Sequence, residues 1–272
     1  MTKETMNLLI EGFDPEKIRT DETERNWRKV MGAYQNGTIL QSEVGGIETV
    51  DNRQCAIVRL GSIKGYIPME ESGCTDLDHL RSLSGQLSAF KVLKYDKENG
   101  LFVGSRREAL EQMAEITLRK IKPGDDIYCV VRHVGYSLVR ADIGGIEVRI
   151  PIEEVSYGWI DDLRDIVKVG DHMKVRVLDI DAGERKVSVS AKATQENPYP
   201  GCAARYQKRA EYVGRVSGVR DYGVFINLEP GVDCLAAHMK FENVQKGDKV
   251  LVRIISIDME KEEIRSRIVR VL

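Results

Sequence analysis

The sequence predicts a mainly β chain: three tandem five-stranded barrels behind a short N-terminal helical segment. Two observations carry this expectation. One motif occurs three times, a Gly followed eleven residues later by an Asp that ends an alternating apolar strand, at Gly85 and Asp96, Gly170 and Asp181, and Gly247 and Asp258. Apolar side chains at every second position before each Asp have the period of a strand with one face on a core and one in water. The copies lie 85 and 77 residues apart. That is too far for a solenoid or propeller-blade repeat and long enough for each unit to close a small barrel of its own.

Length and composition agree. At 272 residues the chain exceeds the usual size of one core, and a hydrophobic fraction of 42% is ordinary for globular domains. No run of about 18 apolar residues occurs, and the start MTKETMNLLIEGFDPEK lacks the basic opening and long apolar core of a secretory signal. The expectation is a soluble, cytoplasmic chain with no membrane partner. Five cysteines (Cys55, Cys74, Cys129, Cys202, Cys234) are odd in number and never form a C-x-x-C pair, which argues for reduced thiols over a disulfide frame or zinc site. The net charge of −2 hides an uneven distribution, because residues 205–272 carry 13 basic and 10 acidic side chains and are the only net-positive portion. An excess this small is a weak electrostatic footprint for a nucleic-acid binder.

The elements follow in order. Residues 1–29 form a polar, acidic lead-in, where Asp14-Pro15 is a helix-start signal and Trp27, Val30, Met31 and Tyr34 line one side of a helix. The first barrel spans 30–113, with strands in TILQSEV, QCAIVRL, SIKGYIPMEE, FKVLKYD and GLFVGS, and a short helical tail from Arg106 to Met113. The second spans 114–196, through IYCVVRHV, SLVRADIGGIEVRIPIEEV, VRVLDID and KVSVSAK. Thr194 to Ala204, with two prolines and a glycine, reads as a linker. The third spans 205–272, with YVGRVSGV, YGVFINL, a turn at Glu229-Pro230-Gly231, VLVRIISID and IRSRIVRVL. Five short strands in about 70 residues, with a longer irregular connection between the third and fourth, are what a Greek-key barrel of OB type requires.

The pattern G-R-V-x-x-V-x-D-Y-G-V-F-I-N-L at 214–228, followed by G-V-D-x-L at 231–235, G-D-K-V-x-V-x-I at 247–254 and Asp258, resembles the S-one RNA-binding domain named after bacterial small-subunit ribosomal protein one. Gly65-Tyr66-Ile67-Pro68 and the paired glycines at 45 and 46 and at 144 and 145 resemble the variant form in the early domains of that protein. Ser105-Arg106-Arg107 and Ser188-Val189-Ser190-Ala191-Lys192 are similar to the family's closing strand. The resemblance spans roughly residues 27–272.

It implies single-stranded RNA as partner, with single-stranded DNA as an alternative because stacking and phosphate contacts are common to both. The family's paired ring positions map onto Tyr222 and Phe225, where base stacking is worth about 1–3 kcal/mol per base. A His in the strand after the G-V-x-G-L turn falls on Ala237, with His238 displaced by one residue. The basic residue five positions after the strand-closing Asp is Lys186 in the second unit but Glu263 in the third, where Arg265 and Arg267 share its pleat side and replace it. Arg215 and Arg220 flank the same face, and Asp258 completes the set, although an Asp after a strand also has a local turn-forming explanation. The first two units lack the aromatic pair and suit docking to a ribosome or another protein.

Enzymatic motifs are missing: there is no P-loop, no G-x-S-x-G and no H-E-x-x-H, and the four histidines have no ligand-like spacing. Asp161-Asp162 has no third ligand in view, so neither metal nor other cofactor is expected. The rival reading is a protein-docking adaptor on a ribosome or polymerase.

Overall fold

The computed structural model describes residues 15–240 and 243–272, with side chains from Glu22 onward apart from Ala203. The expected lead-in over residues 1–14 lies outside the described residues. Helix α1 (Pro15–Asn36) turns Trp27, Val30 and Ala33, spaced three apart, onto one buried face and leaves Tyr34 exposed. The chain divides into two compact units, Met1–Met113 and Ala114–Leu272.

The first unit holds one closed barrel of β1 (Leu40–Val50), β2 (Arg53–Leu60), β3 (Ile63–Pro68), β4 (Leu87–Asp96) and β5 (Leu101–Ser105) in the order β1-β2-β3-β5-β4. All ladders are antiparallel except β3 with β5, as a Greek-key closure demands. Its core stacks Phe90 on Phe102, ring centroids 5.5 Å apart. Gly65 makes room for that pair, since a Cβ there would stand 2.1 Å from Phe102 Cζ. Between β3 and β4 the sequence predicts irregular chain. The structure instead forms two short helices, α2 (Met69–Ser72) and α3 (Leu77–Ser82). The second is capped by Asp76, whose carboxylate accepts the His79 N–H at 2.8 Å.

Helix α4 (Arg106–Lys120) leads into the second unit, which contains two cores. The first core belongs to a five-stranded sheet of β6 (Asp126–Val134), β7 (Leu138–Asp142), β8 (Glu147–Pro151), β9 (His172–Asp181) and β10 (Lys186–Ser190), ordered β10-β9-β6-β7-β8. The end strands β8 and β10 come side by side without a ladder between them, so this second barrel is a curled sheet that hydrogen bonds do not close. The other core fills a third barrel, a closed one of β11 (Glu211–Arg220), β12 (Gly223–Glu229), β13 (Val232–Ala237), β14 (Lys249–Asp258) and β15 (Glu263–Val271), ordered β11-β12-β13-β15-β14. Alternation in β14 puts Val250, Val252 and Ile254 in the core and Arg253 in water.

The expected linker at 194–204 takes a different form. Residues Tyr199–Arg205 form helix α5, and Tyr199 and Cys202 are buried in the third core. The segment is tied to the barrel that follows it because its apolar side chains find burial there.

The threefold motif has one structural explanation. Gly85, Gly170 and Gly247 all take positive φ, a conformation that costs Gly least. Each donates its N–H at 2.8 Å to the carbonyl of a valine in its barrel's first strand: Val44, Val131 and Val216. Those valines sit where the ladder to the second strand shifts register, so each glycine ties the approach to the fourth strand to the β-bulge of the first strand. Asp96, Asp181 and Asp258 close the other end of the strand, each accepting two backbone N–H groups from the two residues beginning two positions further on.

Candidate nucleic-acid interface

The outward face of the third barrel is organised by the β11–β12 hairpin. Its two-residue tip, Asp221-Tyr222, lies beyond the Arg220–Gly223 pair. Tyr222 stands 66% exposed and meets the Phe225 ring edge-on, centroids 5.9 Å apart at 88°. Gly223 between them has ordinary φ. Its smallness serves close approach rather than backbone freedom, because a Cβ would lie 2.7 Å from the Ala236 carbonyl oxygen and 2.8 Å from Leu235 Cδ1.

Ladder register then sets a row across the sheet, Phe225 opposite Leu235 and Leu235 opposite Arg265. Arg265 and Arg267 are exposed on the same pleat side as Glu263, with Ile264, Ser266 and Ile268 inward. Arg265 makes a loose ion pair with Glu263 at 3.7 Å, and Arg267 and Arg215 make none among the described residues. Arg215 is exposed opposite Asn227.

Three predicted residues are locally engaged. His238 lies beyond the end of β13 and its Nε2 donates to the Arg220 carbonyl at 2.7 Å. Asp258 accepts the Glu260 and Lys261 N–H groups, both at 3.1 Å, as its counterparts do in the other barrels. Arg220 pairs with Asp161 and contacts the Tyr136 hydroxyl.

Sequence reasoning missed Trp159. It lies in the β8–β9 connection and stacks flat on Phe225, centroids 3.5 Å apart and planes within 8°. Its backbone N–H donates to Asp233 Oδ2 at 2.7 Å. Ser217 Oγ donates to the other oxygen at 2.8 Å. Burial raises the Asp233 carboxyl above the ordinary carboxylate range, opposed by the hydrogen bonds from Trp159, Ser217 and Asn227. Around this contact lies a cavity of about 590 Å³ walled by Tyr136, Tyr157, Trp159, Tyr222, Phe225 and Arg265, among others. Acidic groups outnumber basic ones on its lining, with Glu153, Asp161, Asp233, Glu262 and Glu263 facing Lys192, Arg220 and Arg265. Aromatic planes, a hydrophobic floor and arginines are the parts from which a surface for unpaired bases is made.

Asp161, the residue that suggested a metal pair, faces Arg220 and Lys246, and among the described residues no group of three His, Cys, Asp or Glu side chains forms a metal cluster. No helix among the described residues is long and apolar enough to cross a membrane.

Residues 130–192 match the S1 RNA binding domain. Along 96% of its length the chain is 26% identical to the small ribosomal subunit protein bS1 of Neisseria meningitidis, covering 48% of that protein. The chain thus carries an S1 RNA binding domain at residues 130–192 and is similar to bS1 along most of its length. Another relative, bS1 of Mycolicibacterium smegmatis, is 29% identical over 84% of the chain and 48% of its own length. A 4-hydroxy-3-methylbut-2-enyl diphosphate reductase of Clostridium acetobutylicum is 25% identical over 91% of the chain and 40% of that protein. The chain thus spans about half the length of the curated relatives it matches. Among solved structures it is similar to GSP13 from Bacillus subtilis, with a TM-score of 0.26 and 21% identity over 46% of this chain and 94% of that one.

Proposed function

We propose that this chain binds single-stranded RNA, in translation or RNA handling, without catalysing a reaction, and that its working surface is the outward face of the third barrel. One observation carries the placement. Tyr222 stands in water beside a cross-sheet row of Phe225, Leu235 and Arg265, so rings for stacking and a cation for phosphate are offered on one face. Tyr222 supplies stacking, and Arg265, Arg267 and Arg215 supply phosphate contacts. Phe225 backs the stack, while His238 and Asp258 hold the hairpin ends in place. The bS1 relatives support the same reading and a cytoplasmic, ribosome-linked setting.

The test is a titration of labelled single-stranded RNA at two salt concentrations. Three arginines each neutralising one phosphate give a log–log salt slope of roughly −2, at about −0.7 per contact. Tyr222→Ala weakens binding by about 1–3 kcal/mol, the worth of one stacked base. Binding that ignores both salt and Tyr222 discards the placement. Single-stranded DNA of the same sequence measures how far the ribose hydroxyl contributes. The acid-rich cavity lining favours a second reading, a protein-docking adaptor with little nucleic-acid affinity, and that reading predicts no salt-sensitive RNA binding at all.

A further inference from the structure

The third barrel's ring face already carries an occupant from its own chain. The β8–β9 connection brings Trp159 flat onto Phe225, in the parallel arrangement and separation of stacked aromatic planes. Two residues on, Asp161 pairs with Arg220. Asp161 and Asp165 both reach Lys246 Nζ, at 3.4 and 3.3 Å. An aromatic plane on the barrel's ring, followed by carboxylates on the flanking cations, repeats the order of base and phosphate along an unpaired strand. The bulge in β11 leaves a floor for the indole, because a Cβ on Gly218 would stand 2.5 Å from Trp159 Nε1 and the three atoms nearest to it would all belong to the indole.

The contact leaves polar groups incompletely satisfied. The indole Nε1–H is shielded from solvent and meets no acceptor, so stacking and the backbone bond to Asp233 hold the ring while its own donor is unmatched. The Asp161–Arg220 approach is an ion pair rather than an aligned hydrogen bond. The Lys246 ammonium is half-exposed, where salt screens such pairs.

We infer that the Ser156–Asp165 connection is an internal stand-in for single-stranded nucleic acid. It covers the Phe225 face and the Arg220 and Lys246 cations until an RNA strand displaces it, exchanging a base for the indole and phosphates for Asp161 and Asp165. This rests on the third-barrel face being the RNA surface. Tyr222 is outside the covered patch and offers the first stacking contact, so binding proceeds from the exposed ring to the covered one.

The experiment is a titration of labelled oligouridylate into the full chain carrying Trp159→Ala, Tyr222→Ala or both, with an Asp179→Asn, Glu184→Gln double variant as a control for net charge beside an Asp161→Asn, Asp165→Asn double variant. Trp159→Ala, which leaves charge unchanged, is expected to tighten binding several-fold, and the aspartate pair to do so beyond the charge control. Tyr222→Ala weakens binding in either background. Unchanged or weaker binding by Trp159→Ala, with Tyr222→Ala still harmful, overturns the stand-in and leaves the RNA surface standing. Indifference to Tyr222→Ala in both backgrounds overturns both. A measurement on the unaltered chain does not depend on any variant folding. Trp27 is only 5% exposed, so acrylamide quenching that rises on saturating RNA reports release of Trp159, and quenching that stays constant contradicts it.

Discussion

The first and third barrels share strand order, a bulged first strand and the glycine that ties that bulge to the fourth strand, yet they differ at the place where a ligand would lie. The residue pairing with the position just past the bulge is Ile57 opposite Gly46 in the first and Phe225 opposite Gly218 in the third. In the second barrel it is Arg140 opposite His133. The neighbours one step toward the hairpin, Ala56, Val139 and Val224, are all core. Inward positions and turn residues therefore specify one strand order three times, while the same register position carries a buried Ile57 in the first barrel and a ring, Phe225, in the third. Fold and proposed site are thus written at alternating positions of the same strand.

The comparison can be broken most forcefully from the first barrel's interior. Phe102→Ala removes one of its two stacked core rings and is expected to cost about 3–5 kcal/mol of stability. Calorimetry of the variant should show the first barrel melting early while oligonucleotide affinity of the third is retained; a parallel loss of affinity would mean the barrels do not divide the work. Next in size is Gly223→Val. Its side chain meets the β13 backbone, so strain should lower the third barrel's melting temperature, an overpacking effect of about 1–3 kcal/mol, and disorder the Tyr222 tip.

A smaller effect sharpens the role of the strand-closing aspartates. Alanine at Asp96, Asp181 or Asp258 removes the same two backbone hydrogen bonds. Each is expected to cost about 1 kcal/mol, with RNA affinity no lower for Asp258→Ala than for Asp181→Ala. A selective loss at 258 would assign that residue to the binding surface.

The last prediction concerns pH. In the second barrel, hydrogen bonds and charge from Arg176 and then Lys174 pull the Asp126 carboxyl down to about 2. A carboxyl whose folded pKa lies below its unfolded value of about 3.9 lends stability above that value, and the contribution disappears as pH falls through the folded pKa. Melting curves of the parent and Asp126→Asn should differ by a constant amount at neutral pH and converge as pH approaches about 2. Asp233 has the opposite sign. Burial raises its pKa, so its ionised form costs stability above that pKa and the cost fades on acidification.

Much of this architecture could be read in advance because its signals are local. Period-two strands such as VLVRIISID, and a glycine at fixed distance from a turn-forming Asp, state their own geometry. The short helices were not legible. Residues 69–72 and 77–82 are too brief for helical periodicity, and Tyr199 and Cys202 look like linker residues until the third core gives them burial. The family resemblance singled out Tyr222, which the structure places exposed at a hairpin tip, whereas nothing in the sequence marked the cover on Phe225. Trp159 sits in a connection with no period, and its partner is 66 residues away in the chain. Its nearest signal was the Asp161-Asp162 pair beside it, whose meaning as a counter-charge to Arg220 and Lys246 depends on tertiary placement.

The most direct measurement is photocrosslinking of a 4-thiouridine-containing single-stranded RNA to the full chain, with adducts mapped by mass spectrometry. Adducts at Tyr222 or Phe225 are the predicted result. Adducts confined to residues 37–113, or none at saturating RNA, would contradict a third barrel whose outer face is the RNA surface.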